Sequence, residues 1–190
     1  MYLPSIIEND GRSLKQFDLP SKLFEQNIIT LFGPVTDESA YSIISQIMYL
    51  DSKDDAEDIN LYINSPGGSV YAGLAIHDVI KNSKKKVNTV CTGISMSMGA
   101  FLLFAGTGKR RSLPNSRIMV HSVSSGTQGT FHDMKVDFEE TSYLQEKLMK
   151  MQTEFSKGKI TEKEMLDLTK RDKYLTPEET LELGLIDEVI

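Results

Sequence analysis

Two strand-loop-helix units follow one another in the middle of this chain, and their repetition restricts the fold more than any other feature. Ile59-Asn60-Leu61-Tyr62-Ile63-Asn64 alternates as a strand does, runs into Ser65-Pro66-Gly67-Gly68-Ser69, and is followed by a helical pattern from about Val70 to Lys81. Val87 to Thr92 is the next strand. It breaks into the small residues Gly93 to Ser97 and then into an apolar, helix-like block, Met98 to Ala105. Crossovers of this length join parallel strands right-handedly. In a parallel sheet every strand-to-helix loop lies at the carboxyl edge of the strands. Gly67-Gly68 and Ser97 are therefore expected on one edge, in adjacent loops if their strands are neighbours.

Ser97 falls where a strand turns into a helix. The first amide groups of a helix have no partner and carry partial positive charge, which suits a nucleophile that must generate and hold an oxyanion. Ser95-x-Ser97-x-Gly99 is one residue short of a Gly-x-Ser-x-Gly elbow, and a helix-capping serine is the plainer reading of the same residues. Gly67 and Gly68 let a backbone N–H point into the site without a Cβ in the way, or else form an ordinary tight turn. Of the three histidines, His77 falls within a helix and His132 at the start of one. His121 alone ends a strand, Arg117 to His121, on the same edge if that strand is also parallel; it is a base or a structural histidine. Asp172, in Lys170-Arg171-Asp172-Lys173-Tyr174, is the candidate third member, although spacing does not place it beside His121.

The remaining elements fill in one domain over residues 20–190. Ser21 to Gln26 reads as a short helix and Ile28 to Phe32 as a buried strand. Thr36 or Asp37 caps a helix with Ala40, Ile43, Ile44, Ile47, Met48 and Leu50 on one face. The acidic run Asp51 to Asp58 reads as a solvated face. Ser124 to Gly129 is a flexible or edge-strand segment. Phe131 to Phe155 is a helix of about 37 Å with apolar residues at threes and fours; its length suggests that part of it packs on another subunit, although a plain core helix is the simpler reading. Thr161-x-x-Glu164 and Thr176-Pro177-Glu178-Glu179 open two more helices, and Gly184 ends the last. Residues 1–19 lack a clear period and read as an arm that is flexible or ordered by a partner.

Composition narrows the class. The net charge is −6 and the basic residues are dispersed apart from Lys84-Lys85-Lys86 and Lys109-Arg110-Arg111, so there is no continuous phosphate-binding stripe and nucleic acid is not an expected ligand. The single cysteine, Cys91, excludes an internal disulfide and fits a reducing compartment. No leader pattern opens the chain, and the best apolar run, 93–106, is too short and serine-rich to span a bilayer. A cytoplasmic protein without a membrane partner is expected, and no metal set is evident.

Taken together the chain resembles the proteolytic subunit of the Clp protease, ClpP, over nearly its whole length. The matching pieces are Tyr62 to Val70, Ser97-Met98-Gly99-Ala100-Phe101-Leu102-Leu103, Leu113-Pro114-Asn115-Ser116-Arg117 leading to His121, Gln128-Gly129, and Arg171-Asp172 followed by Tyr174-Leu175-Thr176. The resemblance implies a crotonase-like α/β fold, with repeated βαβ units, a parallel sheet and a long protruding handle helix. It implies Ser97 as nucleophile, His121 as general base, Asp172 as its orienter, and an oxyanion hole from the N–H groups of Gly68 and Met98. It further implies substrate contacts at Gly67, Gly126 and Gln128, and a ring-to-ring contact at Lys170 and Arg171. Residues 1–19 would be an axial loop. The assembly implied is two stacked seven-membered rings, homomeric or mixed with a second ClpP-type subunit. A Clp ATPase would feed unfolded polypeptide into them, and no cofactor would be needed.

The chain departs from the family pattern in places. Ser122-Val123 stands where Gln-Pro is usual, and Lys170 where an acidic residue is usual. In the apolar clefts that receive the ATPase, Tyr62, Val90, Leu113 and Ile190 are retained, whereas Asn60, Thr92 and Arg111 replace apolar side chains. A regulatory or architectural paralogue working in mixed rings, and a crotonase acting on acyl-CoA thioesters, are the alternatives to a peptidase. Ser97 with His121 argues against the second of these.

Overall fold

The computed structural model describes residues 4–9, 11, 13–54 and 57–190. Parts of the expected arm (residues 1–3, 10 and 12) and residues 55 and 56 of the acidic run lie outside the described residues. In chain order the elements are β1 (Ser5–Asn9), β2 (Leu14–Asp18), α1 (Leu19–Glu25), β3 (Ile28–Phe32), α2 (Asp37–Asp51), β4 (Ile59–Ser65), α3 (Val70–Asn82) and β5 (Val87–Met96). There follow α4 (Met98–Phe104), β6 (Arg110–Ser112), β7 (Arg117–Val120), α5 (Phe131–Phe155), α6 (Glu162–Thr169), β8 (Lys173–Leu175), α7 (Pro177–Glu182) and β9 (Glu188–Val189). Ser5–Asn9 and Leu14–Asp18, within the stretch read as an arm without a period, pair antiparallel as β1 and β2. Its side chains are mostly exposed, so no buried face imposes the alternation that would have marked it as strand.

The main sheet runs β3-β4-β5-β6-β9 with every pair parallel. In β4 the residues Ile59, Leu61, Ile63 and Ser65 are buried and alternate with less buried neighbours, the pattern of a strand with one covered face. That cover comes from helices: Ala40, Ile43, Ile47 and Leu50 of α2 and Ala72, Ile76 and Ile80 of α3 are all buried. All seven residues of α4 are buried, which makes it the central helix of the core. Phe101 and Phe104 are among its fully buried side chains, each worth about 1.5–3 kcal/mol of transfer free energy.

Strand β5 is longer than its sequence pattern suggests. Thr89 to Cys91 pair with β6, and Ile94 to Met96 pair instead with β7. Between the two halves the register with β4 shifts, from Ile63 opposite Cys91 to Ser65 opposite Ser95. Gly93, at φ +93°, occupies the irregularity, and its N–H donates to Ser116 Oγ at 3.1 Å. The glycine that reads as a strand terminator is a bulge that turns the strand onto a new partner.

Helix α5 has the expected bounds, but its apolar stripe is not all core. Phe131, Met134 and Phe138 are exposed, and only Leu144, Leu148 and Phe155 are buried, so the amino-terminal portion stands away from the domain. Asp51 corrects the reading of the acidic run as merely solvated. Its Oδ1 accepts from Ser83 Oγ and from the N–H groups of Lys84 and Lys85, at 2.8, 2.8 and 3.1 Å, pinning the turn after α3. Among the described residues no helix is long and apolar enough to cross a membrane.

Candidate active site

Ser97 caps α4 at φ 53°, ψ −121°, a left-handed conformation that non-glycine residues rarely adopt. The turn is held from both sides. Ser97 N–H donates to Met119 O at 2.8 Å, and Phe101 N–H donates to Ser97 O at 3.1 Å as the first helical bond. A strained turn fixed in this way pushes the hydroxyl outward from the sheet edge. Ser95, two residues earlier, is buried within β5 and has no such access.

The loop after β4 lies directly against this turn. A Cβ on Gly67 would meet Met96 O and Ser97 Cβ at 2.7 Å, and one on Gly68, at φ +150°, would meet Val35 O at 2.3 Å. Only glycine permits both approaches. The adjacent groups anchor the loop, since Val35 N–H donates to Gly67 O at 2.8 Å and Ser69 N–H to Val35 O at 2.9 Å. Among the described residues no hydrogen bond takes up the N–H of Gly68 or of Met98. Two free amides therefore flank Ser97, the arrangement needed to receive a developing oxyanion.

His121 follows directly on β7, and its Nε2 is 2.8 Å from Ser97 Oγ. Strand β8, which the sequence pattern does not reveal, pairs antiparallel with β7: Ile118 faces Leu175, Met119 faces Tyr174 and Val120 faces Lys173. One step further along that register His121 faces Asp172. The separation from His121 Nδ1 to Asp172 Oδ1 is 3.5 Å, with the histidine side chain 21% exposed and the aspartate 59%. A tautomer carrying its proton on Nδ1 would direct it at Asp172 and leave Nε2 as an acceptor facing Ser97 Oγ. The serine-histidine link is thus tight and the histidine-aspartate link loose.

The other histidines serve elsewhere. His77 is buried, its ring packed 5.5 Å from that of Phe101 and 6.0 Å from that of Phe155, and burial pushes its pKa down. His132 lies in the first turn of α5, on its exposed portion. Gly68, Ser97, Met98, Phe101 and His121 line a cavity of about 60 Å³, whose neighbour is a groove of about 400 Å³ walled by Val70, Val123, Gly126 and Leu144. Gly126 is at that groove, whereas Gln128 is exposed and lines neither space. Lys170 and Arg171 are exposed beside Asp172, and Lys170 Nζ pairs with Asp167. Among the described residues no group of three or more histidine, cysteine, aspartate or glutamate side chains is arranged to hold a metal ion.

The two residues after His121 make contacts that sequence reasoning missed. Ser122 Oγ–H donates to Thr169 O at 2.9 Å, and Val123 N–H donates to Gln145 Oε1 at 2.7 Å. The second bond exists because residue 123 is not a proline and has an N–H to satisfy.

The sequence profile of the Clp protease family matches residues 11–190. The chain is 45% identical over 189 residues to the ATP-dependent Clp protease proteolytic subunit 2 of Synechococcus sp. (strain CC9605), covering 99% of this chain and 95% of that protein. The same figures hold for the protein of that name from Parasynechococcus marenigrum (strain WH8102). A mostly parallel α/β sheet, a serine on a strained strand-to-helix turn within reach of a histidine, and this extent of likeness carry one conclusion: the chain belongs to the Clp protease family and is a serine endopeptidase subunit.

Proposed function

We propose that Ser97 is the nucleophile of this peptidase, His121 its general base and Asp172 the group that orients the base, with the N–H groups of Gly68 and Met98 as the oxyanion hole. The observation that carries this is the 2.8 Å separation of His121 Nε2 and Ser97 Oγ on a turn pressed against the Gly67-Gly68 loop. His121 takes the hydroxyl proton as Oγ attacks a peptide carbonyl, then gives it to the leaving amine. Water repeats the sequence on the acyl-enzyme, with His121 again as base. Each oxyanion donor contributes about 3 to 4 kcal/mol to lowering the barrier. Gly67 and Gly126 border the path of the substrate, and Gln128 joins them only if its exposed segment folds inward. No cofactor takes part.

The assembly we propose is two stacked heptameric rings in the cytoplasm. The exposed first half of α5 would bridge the rings near Lys170 and Arg171, and the β1–β2 hairpin would lie at the axial entrance. A Clp ATPase would deliver unfolded polypeptide. Docking of that ATPase is weakened here, because the polar replacements in its cleft are already engaged. Asn60 Oδ1 accepts from Asn88 Nδ2 at 3.1 Å, Thr92 Oγ1–H donates to Ile63 O at 3.3 Å, and Arg111 pairs with Glu188 at 3.2 Å. Val90 is only 1% exposed and offers no docking surface.

The loose, exposed Asp172 favours a second reading in which the subunit works mainly in mixed rings, where a neighbour completes the ordering of its triad. The test of the primary reading is labelling by a fluorophosphonate probe. Ser97→Ala should abolish labelling and peptide cleavage with particle size unchanged, while Ser95→Ala retains both; labelling that persists in Ser97→Ala and vanishes in Ser95→Ala would refute the assignment.

A further inference from the structure

The β7–β8 ladder ends at the pair Val120 and Lys173, one step short of His121 and Asp172. No strand pairing therefore holds the base against the acid, and their 3.5 Å separation and the exposure of Asp172 mark this as the weak joint of the triad. Two side chains act just past it. Ser122, half-buried, donates its hydroxyl to the carbonyl of Thr169 at 2.9 Å. Thr169 is the last residue of α6 and is buried, and its own hydroxyl donates to Met165 O at 2.9 Å. A carbonyl in the last turn of a helix has no intrahelical partner, so Ser122 satisfies an orphan acceptor in a dry position. On the other side Gln145 of α5 takes the N–H of Val123. The chain directly after His121 is thus tied to α6 and to α5 at successive residues.

We infer that Ser122 is a positioning residue for the catalytic triad: its bond to Thr169 fixes the spacing between the segment carrying His121 and the segment carrying Asp172. Thr169 is three residues before Asp172 and Ser122 one residue after His121, so the bond closes a small ring of chain around the base-acid contact. Without it, the exposed 170–172 segment has one tie fewer to the strand end, and His121 Nδ1 loses its fixed acceptor more of the time. Ser122 borders the small cavity at Ser97 and His121 but not the groove walled by Val70, Gly126 and Leu144, so the effect falls on the chemical step more than on the binding of substrate along that groove. This inference rests on the triad assignment proposed above.

The test is steady-state cleavage of a short fluorogenic peptide by the full-length assembled protein carrying Ser122→Ala, Ser122→Thr or Ser122→Cys. Losing one hydrogen bond of ordinary strength corresponds to roughly a 3- to 10-fold lower kcat in Ser122→Ala, with KM within about twofold. Threonine, which keeps the hydroxyl, should restore most of kcat. Cysteine, a weak donor of similar size, should fall between and serves in place of alanine if that variant does not assemble. In an Asp172→Ala background the Ser122→Ala change should cost less than about twofold, because the contact it protects is already gone. An unchanged kcat, a loss confined to KM, or an equal loss with and without Asp172 would each overturn the inference. Ser97→Ala separates the two levels. Cleavage surviving in Ser97→Ala removes the triad assignment itself, whereas its loss alongside an indifferent Ser122→Ala removes only the role of Ser122.

Discussion

Replacing Asp172 by alanine measures how much an exposed orienting acid contributes. At 3.5 Å, two unit charges interact by about 1 kcal/mol in a water-like medium and by about 5 kcal/mol at the effective dielectric of pairs near a protein surface. The 59% exposure of the Asp172 side chain draws the value toward the lower limit, since solvent screens such pairs. Taking about 1.4 to 2.7 kcal/mol as the loss of imidazolium stabilisation, Asp172→Ala should lower kcat about 10- to 100-fold. A buried orienting acid, by contrast, is worth on the order of 10⁴. If ring contact at Arg171 covers Asp172, the same substitution should cost more in stacked particles than in separated rings. The assay is peptide cleavage by wild type and Asp172→Ala at matched particle sizes, resolved by native mass or sedimentation. A loss near 10⁴ in separated rings would refute the screening argument, and a loss below about twofold in stacked rings would remove Asp172 from the mechanism.

Three further perturbations test other parts of the structure. Gly68→Ala should lower kcat on the order of 10²- to 10³-fold without a comparable change in KM, because its Cβ would meet Val35 O at 2.3 Å and turn an oxyanion donor away; near-normal kcat would exclude that donor. Asp187 is desolvated, which alone would raise its pKa, but hydrogen bonds from Arg110 and Lys157 outweigh this and hold it well below the usual carboxylate range. Its contribution is therefore present above about pH 4 and lost as the pH falls below that. Asp187→Ala should cost about 3 kcal/mol at pH 7, leaving the nearly buried Arg110 with only the Phe155 and Gly184 carbonyls, and should flatten the loss of stability at acid pH seen by denaturant titration; an unchanged acid profile would contradict this. Asn60→Tyr with Thr92→Ile should increase degradation of a tagged folded substrate when a Clp ATPase and ATP are added, and efficient degradation by unaltered homomers would refute weakened docking.

The sequence pattern revealed the long periodic elements of this fold and little of what is short. The Ile59 to Asn64 strand and the Phe131 to Phe155 helix were legible because periodicity survives over their full length, and the edge shared by Gly68, Ser97 and His121 followed from parallel topology. Strand β8 was not legible, since Lys173-Tyr174-Leu175 is too short to show alternation, and with it went the reason why Asp172 faces His121. Gly93 misled in an instructive way, because a glycine in a strand reads the same whether the strand ends or bulges. Ser122 carries no spacing signal at all. Its partner is a backbone carbonyl on a distant helix, which only the tertiary structure brings near.

The exposed portion of α5 divides the subunit into two tiers of stability. Its first turns rest on the Thr130–Asp133 capping box and a Lys135–Glu139 pair at 3.7 Å, with no buried side chain before Leu144. A helical segment held mostly by local bonds, with Tyr71 Oη–H donating to Glu140 Oε1 at 2.9 Å as its exposed tie to α3, opens readily, so amides near 134–141 of an isolated subunit should exchange with solvent far faster than those near Leu148, which are held by the core. Ordering of this segment would then be a consequence of association and not of chain folding. Deuterium uptake confined to these turns would serve as an internal clock for when, and how tightly, subunits come together.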